Sequence, residues 1–165
     1  MPKKIIRLRR VKKSDAPFFF KWWRDEDLIR VTSGIYEKDK EVLKGYFFNM
    51  LDSEKNKHYV IEFDSKVVGN ISLTHKNKNT FEIHIVIGEK KYWGRGIGAV
   101  SIKRILKIAF TKLGYKKACI EVRPDNKRAI GLYEFCGFKK IGLKEYPKNK
   151  YQKTVLKMTL AKESE

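Results

Sequence analysis

Residues 92–98, YWGRGIG, set Gly94, Gly96 and Gly98 at alternate positions directly before a long amphipathic pattern. Glycines at the mouth of a helix let the backbone approach a ligand without Cβ atoms in the way, and the free N–H groups there suit a phosphate. A second group stands on the segment before it. In FEIHIVIG (81–88), Phe81, Ile83, Ile85 and Ile87 alternate with Glu82, His84 and Val86. Strand periodicity then sets a carboxylate and an imidazole on the face opposite the isoleucines, where they have the chemistry to take a proton from a nucleophile.

The glycines admit more than one phosphate ligand. Gly94-x-Gly96-x-x-Ala99 fits a dinucleotide fingerprint with Glu121 as the ribose carboxylate. That fingerprint opens a run of parallel βαβ units, whereas this one comes late and is flanked by hairpins. A P-loop is excluded more simply, because no Gly-Lys-Ser/Thr follows.

The elements that must position these groups follow from periodicity and punctuation. KIIRLRRV (4–11) reads as a strand, Ser14 as the cap of a helix through APFFFKWWRD, and 37–51 as a second helix. HYVIEF (58–63), VVGNISLTH (67–75) and 81–88 are three strands, the first two joined by an Asp64-Ser65-Lys66 turn. A helix runs from the glycines to about Leu113 and ends at Gly114. KKACIEVRP is a strand stopped by Pro124, and Asp125 or Asn126 opens a helix closed by Gly137. Two more strands complete the chain. Tight turns make the early strands antiparallel, and the strand–helix–strand step from 81 to 123 is expected to be parallel.

The 165 residues, 42% hydrophobic and 13% aromatic, suit one domain with its own core, expected over 1–165. No run reaches a membrane span, the start lacks a secretory h-region, and Cys119 and Cys136 lack metal-ligand spacing. A cytoplasmic protein with free buried thiols and no metal is expected. The balance of 38 basic to 19 acidic residues, net +19, sets up a field that attracts polyanions such as RNA and nucleotide cofactors. A well-solvated lysine-rich surface accounts for the same number. His58 and His75, at strand ends, are expected to face solvent.

IVIGEKKYWGRGIG together with EVRPDNKRAIGLYEFCGFKKIG (121–142) closely resembles the GNAT superfamily of acetyl-CoA-dependent N-acetyltransferases. FFFKWWRDEDLIRVTSG looks like its RimJ and RimL branch. The resemblance implies an α/β (α+β) fold, with a mixed, mostly antiparallel sheet of about seven strands and helices on both faces. It implies acetyl-CoA as cosubstrate, the pyrophosphate on Gly94, Arg95, Gly96, Ile97, Gly98 and Ala99, and pantetheine along Ile85, Val86 and Ile87. Asn126 would stand near the cofactor, and Tyr133 would protonate the leaving sulfur. Glu82, ahead of His84, would activate the amine. Trp22, Trp23, Arg24 and Tyr146, with Tyr151, would border the acceptor. Trp93 departs from the family, which has Gln or Arg there. The implied acceptor is a protein N-terminus of the ribosomal-protein type, with a polyamine or aminosugar as the alternative. A non-catalytic module binding coenzyme A or RNA is the rival of another class. Proximity to the ribosome and a monomer or homodimer complete the expectation.

Overall fold

A computed structural model of the chain describes residues 4–32, 39–149 and 153–164. Seven strands form one sheet in the order β1-β2-β3-β4-β5-β7-β6. They are β1 (Ile6–Arg10), β2 (Lys57–Phe63), β3 (Lys66–His75), β4 (Thr80–Ile87), β5 (Lys117–Val122), β6 (Lys139–Glu145) and β7 (Thr154–Ala161). Among the described residues only β4 and β5 pair in parallel, across the helical crossover that chain geometry demands. The turn between β2 and β3 has positive φ at Asp64 and Ser65, as a tight hairpin turn requires.

Helices cover both faces. They are α1 (Ala16–Trp23), α2 (Glu26–Val31), α3 (Lys40–Asp52), α4 (Ile97–Thr111) and α5 (Lys127–Phe135). Adjacent residues of a strand point to opposite sides. Ile61 packs in the main core with Ile102 and Ile105 of α4 and Ile130 of α5. Its neighbour Val60 packs with Phe19 of α1 and Phe47 of α3. So α4 and α5 lie on one face, and α1 and α3 on the other.

Three local expectations need correction. Ser14 does not cap α1: it lies in a single 3-10 turn (Lys13–Asp15). The Asp15 carboxylate there binds the Arg9 guanidinium in two 2.8 Å bonds and ties the start of α1 to β1. The expected helix end at Asp25 is instead the start of α2, because the Asp25 side chain accepts from the Asp27 and Leu28 N–H groups. His58 and His75 are not solvent-facing. Burial, with His84 and Arg10 nearby, pushes the His58 imidazole down to about 4, and His75 Nδ1 lies 2.7 Å from the Tyr115 hydroxyl. The expected helix start at 37 and Tyr151 lie outside the described residues.

Candidate active site

The pairing of β4 with β5 is short. It covers Thr80–Lys117, Phe81–Ala118 and Glu82–Cys119, although β4 continues to Ile87 and β5 to Val122. Beyond Glu82 the strands part. A cleft of about 470 Å³ opens there, walled by β4 from Ile83 to Ile87, by Ile120 to Arg123, by the glycine turn and by α5. Parting leaves the β5-facing backbone edge of β4 without a strand partner, a ready template for the amides of an extended ligand.

The glycine turn closes one end. Gly94 and Gly96 have φ of 75° and 79°, a region that a Cβ penalises, and Gly96 is the N-cap of α4. This turn delivers the N-terminus of a 15-residue helix into the cleft, with the first α4 N–H groups and the positive end of its dipole facing in. Gly98 serves packing, since a Cβ there would stand 3.0 Å from Leu132 of α5. The Arg95 guanidinium turns away and lies over the Tyr92 ring at 5.2 Å; its side chain does not line the cleft.

Trp93 has a distinct local use. Its indole N–H donates to the Ile87 carbonyl at 2.7 Å and pins the glycine turn to the end of β4. The Arg128 guanidinium rests on its ring at 4.8 Å and lines the cleft. Arg128 thus brings a cation to the helix mouth that the sequence pattern did not single out. The signal was there, since Arg128 falls in the first turn of a helix capped by Asn126.

Tyr133, on α5, is 7% exposed and lines the cleft. Burial raises its phenol above the usual tyrosine range, so the group stays protonated. Among the described residues its hydroxyl has no hydrogen-bond partner, which is uncommon for a buried tyrosine and leaves its proton available to a ligand. Asn126 also lines the cleft. Its Oδ1 accepts from the Ala129 N–H at 3.1 Å, and its Nδ2 donates to the Val31 carbonyl at 2.9 Å. It therefore caps α5 and joins it to α2.

His84 stands in the cleft wall with half of its side chain exposed. Glu82 lies behind it, 6% exposed, with Oε1 3.0 Å from His84 Nε2 and Oε2 3.4 Å from Lys76 Nζ. Burial would raise the Glu82 carboxyl, but these two partners outweigh it and hold it below the usual carboxylate range. Across the cleft Glu121 of β5 accepts the Tyr146 hydroxyl at 2.6 and 2.9 Å. The sequence had linked Glu121 only to a ribose.

Of the residues expected at the acceptor, Trp22, Trp23 and Arg24 stand apart from this cleft, and Tyr146 reaches it only through Glu121. Trp22 is buried against Gly88, where a Cβ would find no room, and its indole N–H donates to Glu89 at 3.3 Å. Trp23 packs on Phe19 and Phe20, and Arg24 caps the end of α1.

Residues 6–139 match the family model described as an acetyltransferase (GNAT) domain. An uncharacterized protein of Methanocaldococcus jannaschii is 41% identical over 73 residues, 44% of this chain and 15% of that protein. An N-alpha-acetyltransferase RimI of Mycobacterium tuberculosis is 30% identical over 101 residues, 59% of this chain and 61% of that one. The matched stretch thus spans less than two thirds of either relative. Among solved structures, spermidine N-acetyltransferase from Vibrio cholerae in complex with CoA and spermine superposes with a TM-score of 0.83. It is 22% identical, with 94% of this chain and 95% of that one covered, a likeness of fold.

Proposed function

Because the chain belongs to the GNAT acetyltransferase family, we propose that it moves an acetyl group from acetyl-CoA to a primary amine, the N-terminus of a protein. The observation that carries the transferase reading is the parting of β4 from β5 into a cleft that ends on the α4 N-terminus. The residues present fit the cosubstrate. Ile97, Gly98 and Ala99 N–H groups would hold the pyrophosphate with Arg128 beside them, and Ile85, Val86 and Ile87 would pair with the pantetheine amides. When bound, acetyl-CoA supplies an acetyl thioester.

The chain's own residues then divide the proton work. Glu82 accepts from His84 Nε2–H, which leaves the Nδ1 lone pair free to take the proton of the attacking amine. Glu121, held by Tyr146, attracts the amine into the cleft. Tyr133 gives its proton to the departing sulfur. The C–N bond forms as the C–S bond breaks, one proton arriving on His84 and one leaving Tyr133.

Charge favours an N-terminal acceptor over a polyamine. An α-amine titrates near 7.7–8.0 and an alkyl amine near 10.4, so the former needs far less help to become neutral. Lysines already face the carboxylates on this side: Lys76 at Glu82, Lys144 at 3.9 Å from Glu121, and Lys90 at 2.7 Å from Asp27. A polycation would have to displace them against a net charge of +19. The test is thiol release from acetyl-CoA with a panel of peptide N-termini beside spermidine and aminosugars. Peptides are expected to turn over fastest. Exclusive turnover of a small amine overturns the acceptor; cofactor binding with no transfer to any amine overturns the enzyme.

A further inference from the structure

A second hollow lies outside the cleft described above. About 510 Å³ in volume, it runs between β1, an edge strand of the sheet, and the later turns of α4. Its charged lining is Arg7, Arg9, Arg104, Lys107 and Lys112 against the single carboxylate of Glu62. Arg9 already neutralises that carboxylate at 2.8 Å and binds Asp15 as well. Arg7, Arg104, Lys107 and Lys112 are exposed, and among the described residues no carboxylate pairs with them. Arg104 also donates to the Ile6 carbonyl, which ties the helix to the strand across the groove.

The arrangement is more than diffuse charge. Arg104 and Lys107 stand one turn apart on α4 and Lys112 follows at its C-cap, a span of about 12 Å at 1.5 Å per residue, while Arg7 alternates with Leu8 and lies on the other face of the edge strand. Partly buried Leu8 and Ile108 form the floor, so the cations stand on rigid elements. Such a row suits an extended polyanion with regularly spaced charges. It lies at the β1 end of the sheet, three strands from β4, so an occupant leaves the acetyl-transfer cleft open.

We infer that the groove between β1 and α4 docks the phosphodiester backbone of RNA, with Arg104, Lys107 and Lys112 as its phosphate contacts. The choice of RNA rests on the proposed acceptor, since new protein N-termini emerge beside ribosomal RNA. The groove itself is independent of that reading.

The experiment measures binding of an RNA duplex to the full chain as a function of salt. The variant Arg104→Gln/Lys107→Gln/Lys112→Gln is compared with Lys40→Gln/Lys55→Gln/Lys78→Gln, an equal charge change on exposed lysines elsewhere. At about 0.9 of slope per phosphate contact, the groove variant is expected to flatten log K against log salt by about 2.7 and to weaken binding roughly 500-fold at 0.1 M, one decade below 1 M. The other triple variant is expected to bind nearly as the wild type does. Acetyl-CoA affinity and the thermal midpoint check folding, and single Lys107→Gln and Lys112→Gln variants, each expected to cost about 0.9 of slope, replace the triple if it fails to fold. Absence of RNA binding, or equal losses in both triple variants, overturns the inference. Tighter binding to a DNA duplex or to phosphatidylglycerol vesicles also overturns it. Peptide acetylation without RNA reads the proposed function separately, so either idea can fail alone.

Discussion

Replacing Tyr133 by phenylalanine separates chemistry from packing at one oxygen atom. The ring stays: it is 7% exposed and meets Phe138 at a centroid distance of 6.3 Å, contacts that a phenylalanine keeps. The hydroxyl leaves no partner stranded among the described residues. Removing a buried, unpartnered polar group costs nothing or returns about 1 kcal/mol. The thermal midpoint of a chain of 165 residues should therefore hold or rise by about 2–4 °C. Loss of a positioned proton donor costs about 10²–10⁴ in rate, or roughly 2.7–5.4 kcal/mol of barrier. The assay follows thiol release with a peptide acceptor from pH 6 to 10, and calorimetry checks that acetyl-CoA affinity is unchanged. Because burial keeps the phenol protonated, the wild-type rate should show no falling limb from Tyr133 in that range. A variant that transfers at the wild-type rate at every pH removes Tyr133 from the chemistry. A large fall in midpoint would make it a packing residue instead.

Two further outcomes test the frame around it. Gly96→Ala sets a Cβ at φ 79° with open space before it; the left-handed conformation should cost about 1–2 kcal/mol, and acetyl-CoA affinity should fall at least about tenfold because the helix mouth is distorted. An unchanged affinity by calorimetry would place the pyrophosphate elsewhere. His58 is held neutral by burial, with a folded pKa of about 4 against an unfolded 6.5. The unfolded chain therefore binds the extra proton in that window, and stability falls by up to about 3 kcal/mol as pH drops from 6.5 to 4. Urea titrations should show this slope in the wild type and lose most of it in His58→Gln. An equal slope in both would mean that other groups carry the acid sensitivity.

Local signals were legible where one residue type answers one local demand. The glycines before α4, the Asn126 cap and the alternation in β4 each reflect a backbone angle, a free N–H or a strand period, and none needs a distant partner. Asp25 was misread because its capping bonds reach forward to Asp27 and Leu28, into a helix of only six residues with little periodicity. His58 was misread for another reason: residues at a strand end are covered or exposed by whatever packs across them.

Apart from the short helix α2, the order of elements and the mixed sheet follow from the sequence alone, because hydrophobic period, caps and turn residues act over a few positions. The cleft does not. It exists because β4 and β5, more than thirty residues apart in the chain, pair at three positions and then part. The same long-range packing set His84 rather than Glu82 in the wall, turned Trp22 onto Gly88, and brought Arg128 onto Trp93 and Tyr146 onto Glu121. Sequence periodicity tells which face a side chain takes, and only the folded sheet decides what that face meets.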